Sequence, residues 1–255
     1  MLRFSENNIV GLSGGKDSTA TCIELVRLGI PFKTVTAEVW WKKDVTGENP
    51  YHYEFLHDKL LPRLRSWGVQ CDVVSSDITA YEYMTTPIVK SRYPERIGKR
   101  RGFPLCGRCG IQRDCKIRPC NRYYKTQKTP YNIITGIARD EIPRLISNAE
   151  HGRISVLDLL EIEQHKTYGI CRREDLLSPT YSFSERGGCW FCANQRIQEF
   201  EMLYREFPNL WNDLMEVQRM PNKVSELFNR TQTLYDIEKQ IKEGVQLKFF
   251  PGNLL

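Results

Sequence analysis

The sequence predicts an α/β protein built on a doubly wound parallel sheet, carrying a cysteine-rich insertion and a helical C-terminal appendage. Three observations predict it. Segments with strand and helix spacing alternate along residues 1–195, a glycine loop separates the first strand from the first helix, and the pattern turns wholly helical after Arg196. Helices between successive strands imply parallel pairing with both sheet faces covered.

In chain order, Ile9-Val10-Gly11-Leu12 is the first strand, and Thr19 to Leu28 has helical spacing. Phe32 to Val39 alternates with β-branched residues, as a second strand should. Tyr51 to Trp67 reads as a helix whose apolar stripe is Phe55, Leu56, Leu60, Leu61 and Leu64. Val69 to Ser75 is a third strand and Asn132 to Ile137 a fourth. Beyond them, Glu199–Phe207, Asn209–Arg219 and a long Lys223–Gly244 stretch form the appendage, 196–255. At 255 residues with 40% hydrophobic content, the chain can bury a full core.

The loop between the first strand and helix reads Ser13-Gly14-Gly15-Lys16-Asp17-Ser18. Glycines let a backbone turn tightly and approach a phosphate closely, and a helix N-terminus offers N–H groups and a favourable dipole to an anion. Lys16 adds a mobile cation, while Ser13 and Ser18 add hydroxyls. A Walker A loop would place glycine at position 10 and Ser or Thr at position 17, where this chain has Val10 and Asp17. The alternative is a glycine-rich turn without a ligand.

Charge is unevenly distributed. Residues 90–128 hold thirteen Lys and Arg against Glu95 and Asp114, whereas the rest of the chain holds 24 bases and 29 acids. A segment so basic, interleaved with Tyr93, Tyr123 and Tyr124, suits a polyphosphate or a nucleic-acid backbone, with a solvated face as the alternative. Arg100, Arg101, Lys116 and Arg118 are its candidate substrate contacts. No apolar run is long enough to span a membrane and residues 1–6 do not read as a signal peptide, so a cytoplasmic protein without a membrane partner is expected.

In that compartment nine cysteines argue for metal or redox use over disulfides. Cys106-Gly-Arg-Cys109 precedes Cys115 and Cys120, and Cys189-Trp-Phe-Cys192 follows far downstream. A CxxC pair brings two thiolates to one metal from a single turn. Four of these six cysteines would complete a site, and spacing does not distinguish zinc from an iron–sulfur cluster. Cys22, Cys71 and Cys171 read as core thiols. The four histidines show no ligand-like grouping and receive no role.

The loop resembles the SGGxDS PP-loop of the adenine nucleotide alpha-hydrolase superfamily, and further segments are similar to its phosphoadenosine phosphosulfate (PAPS) reductase family. These are Gly136-Ile-Ala-Arg139-Asp-Glu141, the Cys115-Lys116-Ile-Arg118-Pro119 segment, Glu38 with Gly47-Glu48-Asn49-Pro50, and Leu176–Tyr181 leading into Arg186-Gly-Gly-Cys189-Trp-Phe-Cys192. They span roughly residues 7–195, in the family's order.

The resemblance implies an adenine nucleotide alpha-hydrolase-like fold with ATP or an adenylyl sulfate at Ser13, Gly14, Gly15, Lys16, Asp17, Ser18, Glu38 and Gly136. Lys16, Asp17 and Arg139 would be catalytic, with Mg²⁺ on Asp17 if ATP is the substrate, and a [4Fe-4S] cluster or zinc on the cysteines. The chain departs from the family in two places. No cysteine follows Cys192, where thioredoxin-dependent reductases carry their nucleophile, and the adjacent Cys-Cys pair of many cluster-containing members is absent. ATP-driven activation of an RNA or DNA acceptor, with a sulfur- or electron-donor protein, is therefore expected ahead of sulfonucleotide reduction. The other expectation is a regulatory nucleotide- and nucleic-acid-binding protein with structural zinc.

Overall fold

The computed structural model describes residues 7–105 and 109–244, which fall into two compact units. The first comprises residues 7–38, Pro50–Ser75 and Ile117–Tyr181; the second comprises described residues of Val39–Asn49, Ser76–Lys116 and 182–244. The helices beyond residue 196 thus belong to the same unit as the 39–49 and 76–116 segments.

The first unit is α/β, with a five-stranded parallel sheet. Its strands are β1 (Asn8–Gly11), β2 (Lys33–Glu38), β5 (Gln70–Ser75), β6 (Asn132–Thr135) and β7 (Ile154–Ser155), in the order β5-β2-β1-β6-β7. Val10 pairs with Thr34 on one side and Ile134 on the other. Alternation along β1 sends Ile9 and Val10 to opposite faces, and both faces are covered. Val10 and Ile134 pack among α1 (Lys16–Arg27), α3 (Leu61–Ser66), α7 (Val156–Leu159) and α8 (Gln164–Arg173). Ile9 and Val35 pack with Tyr124 of α5 (Arg118–Lys125). Helix α2 (Pro50–Glu54) runs through a π-helical turn, Phe55–Leu60, into α3, matching the apolar stripe over 51–67. α6 (Ile142–Glu150) follows β6. The chain reverses its direction across the sheet between β1 and β6, the position at which parallel α/β sheets open a crevice beyond their carboxyl ends.

The second unit holds the hairpin β3 (Trp40–Lys42) and β4 (Val45–Thr46), α4 (Ala80–Thr85), α9 (Ile197–Glu206), α10 (Pro208–Arg219) and α11 (Leu234–Lys242). Its core is aromatic. Trp41 and Trp190 are fully buried with ring centroids 4.7 Å apart, and Phe191 lies 5.1 Å from Trp41. Thr79 caps α4 reciprocally with Glu82, an arrangement contributing about 1 kcal/mol.

The expected Lys223–Gly244 helix is corrected to Leu234–Lys242. Asn222 takes a left-handed φ of 57°, and the Asn229 side chain accepts from the N–H groups of Thr231 and Gln232, offering the backbone a turn in place of a helix. The Lys223 ammonium donates to the carbonyl of Gln218 at 2.6 Å and to that of Met220, the C-cap of α10. Among the described residues no helix is long and apolar enough to cross a membrane.

Candidate functional site

Within the first unit, the loop begins where β1 ends. Gly14 has φ +74°, and a Cβ built on it would lie 2.9 Å from His52 Cε1, so both backbone and space demand glycine. Gly15 is the N-cap of α1 without a side-chain cap, and the Lys16 N–H donates to the Tyr181 hydroxyl at 2.9 Å. The remaining first-turn N–H groups have no partner within their own helix. The Ser13 and Ser18 hydroxyls lie 3.1 Å apart, and Ser18 Oγ donates to the Gly15 carbonyl at 3.0 Å. These bonds close the loop on itself.

Lys16 and Asp17 form the charged heart of this loop. Lys16 is only 6% exposed; its ammonium donates to Asp17 Oδ1 at 2.6 Å and sits 5.2 Å from the centroid of the Tyr168 ring. The Thr167 hydroxyl donates to the same Asp17 oxygen at 2.8 Å. Burial, helped by the Asp17 charge, pushes the nearby Cys171 thiol up to about 12, and its sulfur lies 3.2 Å from the Lys16 carbonyl. Burial also raises the Tyr181 hydroxyl well above the usual phenol range. Both groups therefore stay protonated and neutral at physiological pH.

His52, almost fully buried, supports the loop from α2. Its Nε2 lies 2.9 Å from the Ser13 carbonyl, which can only accept, so Nε2 carries a proton; its Nδ1 lies within hydrogen-bond distance of the Ser178 hydroxyl, at 3.0 Å. Gly136, just past β6, meets the same turn. Glu38 ends β2 at the carboxyl edge of the sheet, with its Oε1 2.5 Å from His57 Nε2 but without hydrogen-bond alignment. The Arg139 guanidinium is partly exposed and pairs with Glu161 at 2.7 Å. The structure therefore gathers Ser13–Ser18 with Gly136, puts Glu38 at the same sheet edge, and directs Arg139 to Glu161.

The second unit gathers thiols around a lysine. Glu48 and Cys189 form an isolated antiparallel bridge, and Cys192 N–H donates to the Cys189 carbonyl at 3.0 Å. The Lys116 ammonium donates to Glu48 at 2.6 Å. Desolvation works against that charge, but Cys189, Glu48 and Cys192 outweigh it and hold the proton on Lys116. Burial pushes the Cys189 thiol up strongly, with Lys116 pulling the other way and Glu48, Cys192 and Cys109 adding to the rise. Arg186 reaches Cys192 Sγ at 3.5 Å, and Gln112 N–H reaches Cys109 Sγ at 3.4 Å.

Cys115 is buried in the unit's core with its sulfur toward the Ile78 carbonyl, 3.7 Å away. Cys120 belongs to the first unit, packed against Ile9, Val35 and Tyr124. Cys106 lies outside the described residues. Among the described residues no three His, Cys, Asp or Glu side chains converge on one metal position. Of the basic candidates, Arg101 stacks over Tyr83 at 4.9 Å, Arg100 donates to the Pro221 carbonyl at 3.1 Å, and Arg118 is exposed at the start of α5.

Sequence reasoning missed His52, Thr167, Tyr168 and Tyr181. Three of them reach the loop from 39 to 165 residues away, and no local pattern announces such contacts. No protein-family model matches the chain, and no curated protein matches it.

Proposed function

We propose that the chain is an enzyme of the PAPS reductase family within the PP-loop superfamily. In this reading its first unit is a doubly wound, adenine nucleotide alpha-hydrolase-like domain that binds ATP or an adenylyl sulfate. A cysteine-ligated metal centre then serves sulfur transfer or activation on a nucleic acid. The observation that carries the reading is the loop itself: a closed Ser13–Ser18 turn with the buried Lys16 paired to the partly exposed Asp17, at the reversal point of a parallel sheet and at a helix N-terminus.

With ATP bound, the Lys16 ammonium and the first-turn N–H groups of α1 would meet the β,γ-phosphates. An acceptor oxygen attacks the α-phosphorus; the new O–P bond forms as the bond to the β-phosphate oxygen breaks, and its electron pair leaves on pyrophosphate. Donors fixed on that leaving group stabilise the charge as it develops. A sulfide-level sulfur delivered by a donor protein then attacks the activated atom of the acceptor, and the acceptor–oxygen bond breaks with its electron pair leaving on AMP. Asp17 would meet Mg²⁺, though its Oδ1 already holds Lys16 and Thr167.

Cys109, Cys189 and Cys192 belong to the second unit, the latter two on one turn, and they would be the residues to hold a thiolate-ligated group, with Cys106 as the CxxC partner of Cys109. Such a group, as [4Fe-4S] or zinc, would supply electron transfer or a structural anchor. The test is anaerobic incubation of the protein with ATP, adenylyl sulfate and PAPS plus reductant, with and without RNA or DNA, and mass spectrometry of the products. AMP with pyrophosphate is expected. Sulfite would instead mark a true reductase, and no product at all would overturn the enzymatic reading.

A second reading, a regulatory nucleic-acid-binding protein with structural zinc, is favoured by one observation. Trp190 and Phe191, between the two downstream thiols, are both core residues of the second unit, as at a structural site. Acid-labile sulfide in the purified protein would exclude it.

A further inference from the structure

A loop in the second unit is built as a rigid platform. Ile88 N–H donates to the Lys99 carbonyl and Gly98 N–H to the Ile88 carbonyl, both at 2.9 Å, closing the base of residues 88–99. Arg100 then anchors the base, its N–H donating to the Asn222 carbonyl at 2.9 Å and its own carbonyl accepting from Val224 at 2.8 Å. Beside the loop lies a cavity of about 300 Å³, whose lining includes Tyr83, Ile88, Lys90, Arg96, Arg101 and Phe103. Among the described residues no carboxylate ion-pairs with Lys90, Arg92, Arg96 or Arg101. Three cations thus line one mostly polar concavity, beside the apolar side chains of Ile88 and Phe103.

The outer face of the loop has a second feature. The Tyr93 ring is bracketed by the guanidinium groups of Arg92 at 4.9 Å and Arg96 at 4.4 Å, and it remains 39% exposed. Two guanidinium groups packed on an exposed tyrosine ring, next to unpaired cations, offer planar groups on which a base can stack and a backbone track together. A cavity of this size admits one nucleotide and is too small for a base pair with its backbones.

We propose that this cavity receives one unpaired nucleotide of a single-stranded nucleic acid. Lys90, Arg96 and Arg101 neutralise its phosphate and the two flanking ones, Ile88 and Phe103 take the base, and the Arg92–Tyr93–Arg96 group stacks on a neighbour. This deepens the nucleic-acid half of the function proposed above, and its test uses binding alone, without ATP, so either can fail independently.

The experiment is fluorescence anisotropy of the full chain with labelled 12-nucleotide single-stranded RNA and DNA and the matching duplexes, across a salt series. Single strands should bind, with a log–log salt slope of about −2 for three neutralised phosphates, and duplexes should bind far more weakly. Lys90→Ala/Arg96→Ala should bring the slope toward about −0.7. Tyr93→Ala should weaken binding about tenfold with the slope unchanged. These residues are exposed, so thermal unfolding should be unaltered, and Lys239→Ala/Lys242→Ala in α11 should bind as the parent does. Equal affinity for duplexes, or wild-type affinity and slope in the double variant, would overturn the proposal. So would AMP alone binding as tightly as the oligonucleotide, or attachment to phosphatidylserine vesicles without oligonucleotide binding.

Discussion

Gly136 brings the end of β6 into backbone contact with Ser18: a Cβ built on Gly136 would lie 2.5 Å from both the N and the Cα of Ser18 and 2.7 Å from the Asp17 carbonyl carbon. The first turn of α1 and the loop after β6 are therefore one packed unit. Any side chain at 136 must push the backbone of the Ser13–Ser18 loop itself.

Gly136→Ala should accordingly destabilise the protein by about 2–3 kcal/mol, the cost of overpacking where the neighbour is backbone and cannot swing away. It should also abolish nucleotide binding. Gly169→Ala is the control. Gly169 lies inside α8 with nothing within 4 Å of its Cβ position, so the same change should stabilise by about 0.5–1 kcal/mol. Urea denaturation of both variants checks the pair, and equal effects would remove the steric argument.

The strand, loop and first helix were legible because each is a local pattern: Ile9–Leu12 is a short apolar run, the glycines follow, and Lys16–Arg27 is free of breakers. β7 was not, since Ile154 and Ser155 are too few to display alternation. The Ser13–Ser18 loop at the start of the first helix could be named residue by residue, whereas the side chains that support it could not. Thr167 and Tyr181 are ordinary helix and turn residues until the fold carries them to Asp17 and Lys16. His52 stands in no metal-like spacing, and only the fold makes it a hydrogen-bond bridge between Ser13 and Ser178. The misjudged 223–233 stretch has helical composition but a side chain, Asn229, that satisfies its own turn.

Thr167 fixes the Asp17 carboxylate without touching the loop backbone. Thr167→Val keeps the shape and removes the hydroxyl, so it should cost about 1–2 kcal/mol of stability as a lost bond to a charged acceptor. With Asp17 freer to hold Lys16, ATP affinity should fall by several-fold. Lys16→Gln should lower that affinity more than tenfold with a smaller stability change. Isothermal titration with ATP, beside thermal unfolding, measures both. A Lys16→Gln protein that binds ATP normally would remove the loop from the phosphate site.

Acid should weaken the second unit through Glu216. Hydrogen bonds from Tyr81 and Lys42 hold its carboxyl below the ordinary 4.5. A depressed carboxylate stabilises the folded state above its unfolded value and loses that contribution as pH falls through the lower folded value. Stability should therefore decline below about pH 4.5, and Glu216→Gln should flatten that part of the decline. The group is nearly half exposed, so the effect is under about 1 kcal/mol. Unfolding midpoints at pH 3 to 6 for both proteins check the sign; identical slopes would show that other acids carry the acid sensitivity.

The thiol cluster makes the last prediction, and it separates ligation from packing. If Cys189 and Cys192 hold a metal with Cys109, Cys189→Ser should sharply lower the metal bound per purified chain, and Cys115→Ser should leave it unchanged, because the Cys115 sulfur is turned to the Ile78 carbonyl. The ion pair beside them gives an independent readout. Glu48 is only 7% exposed, so Lys116→Met leaves a nearly buried carboxylate without its cation and should cost about 3 kcal/mol. Lys116→Met/Glu48→Gln should recover much of that loss, since the charge is removed with its partner. Metal content follows the thiols and stability follows the ion pair. Full metal retention in Cys189→Ser, with the ion-pair cycle behaving as stated, would show that the cysteine turn is a folding element built around Trp190 and not a metal site.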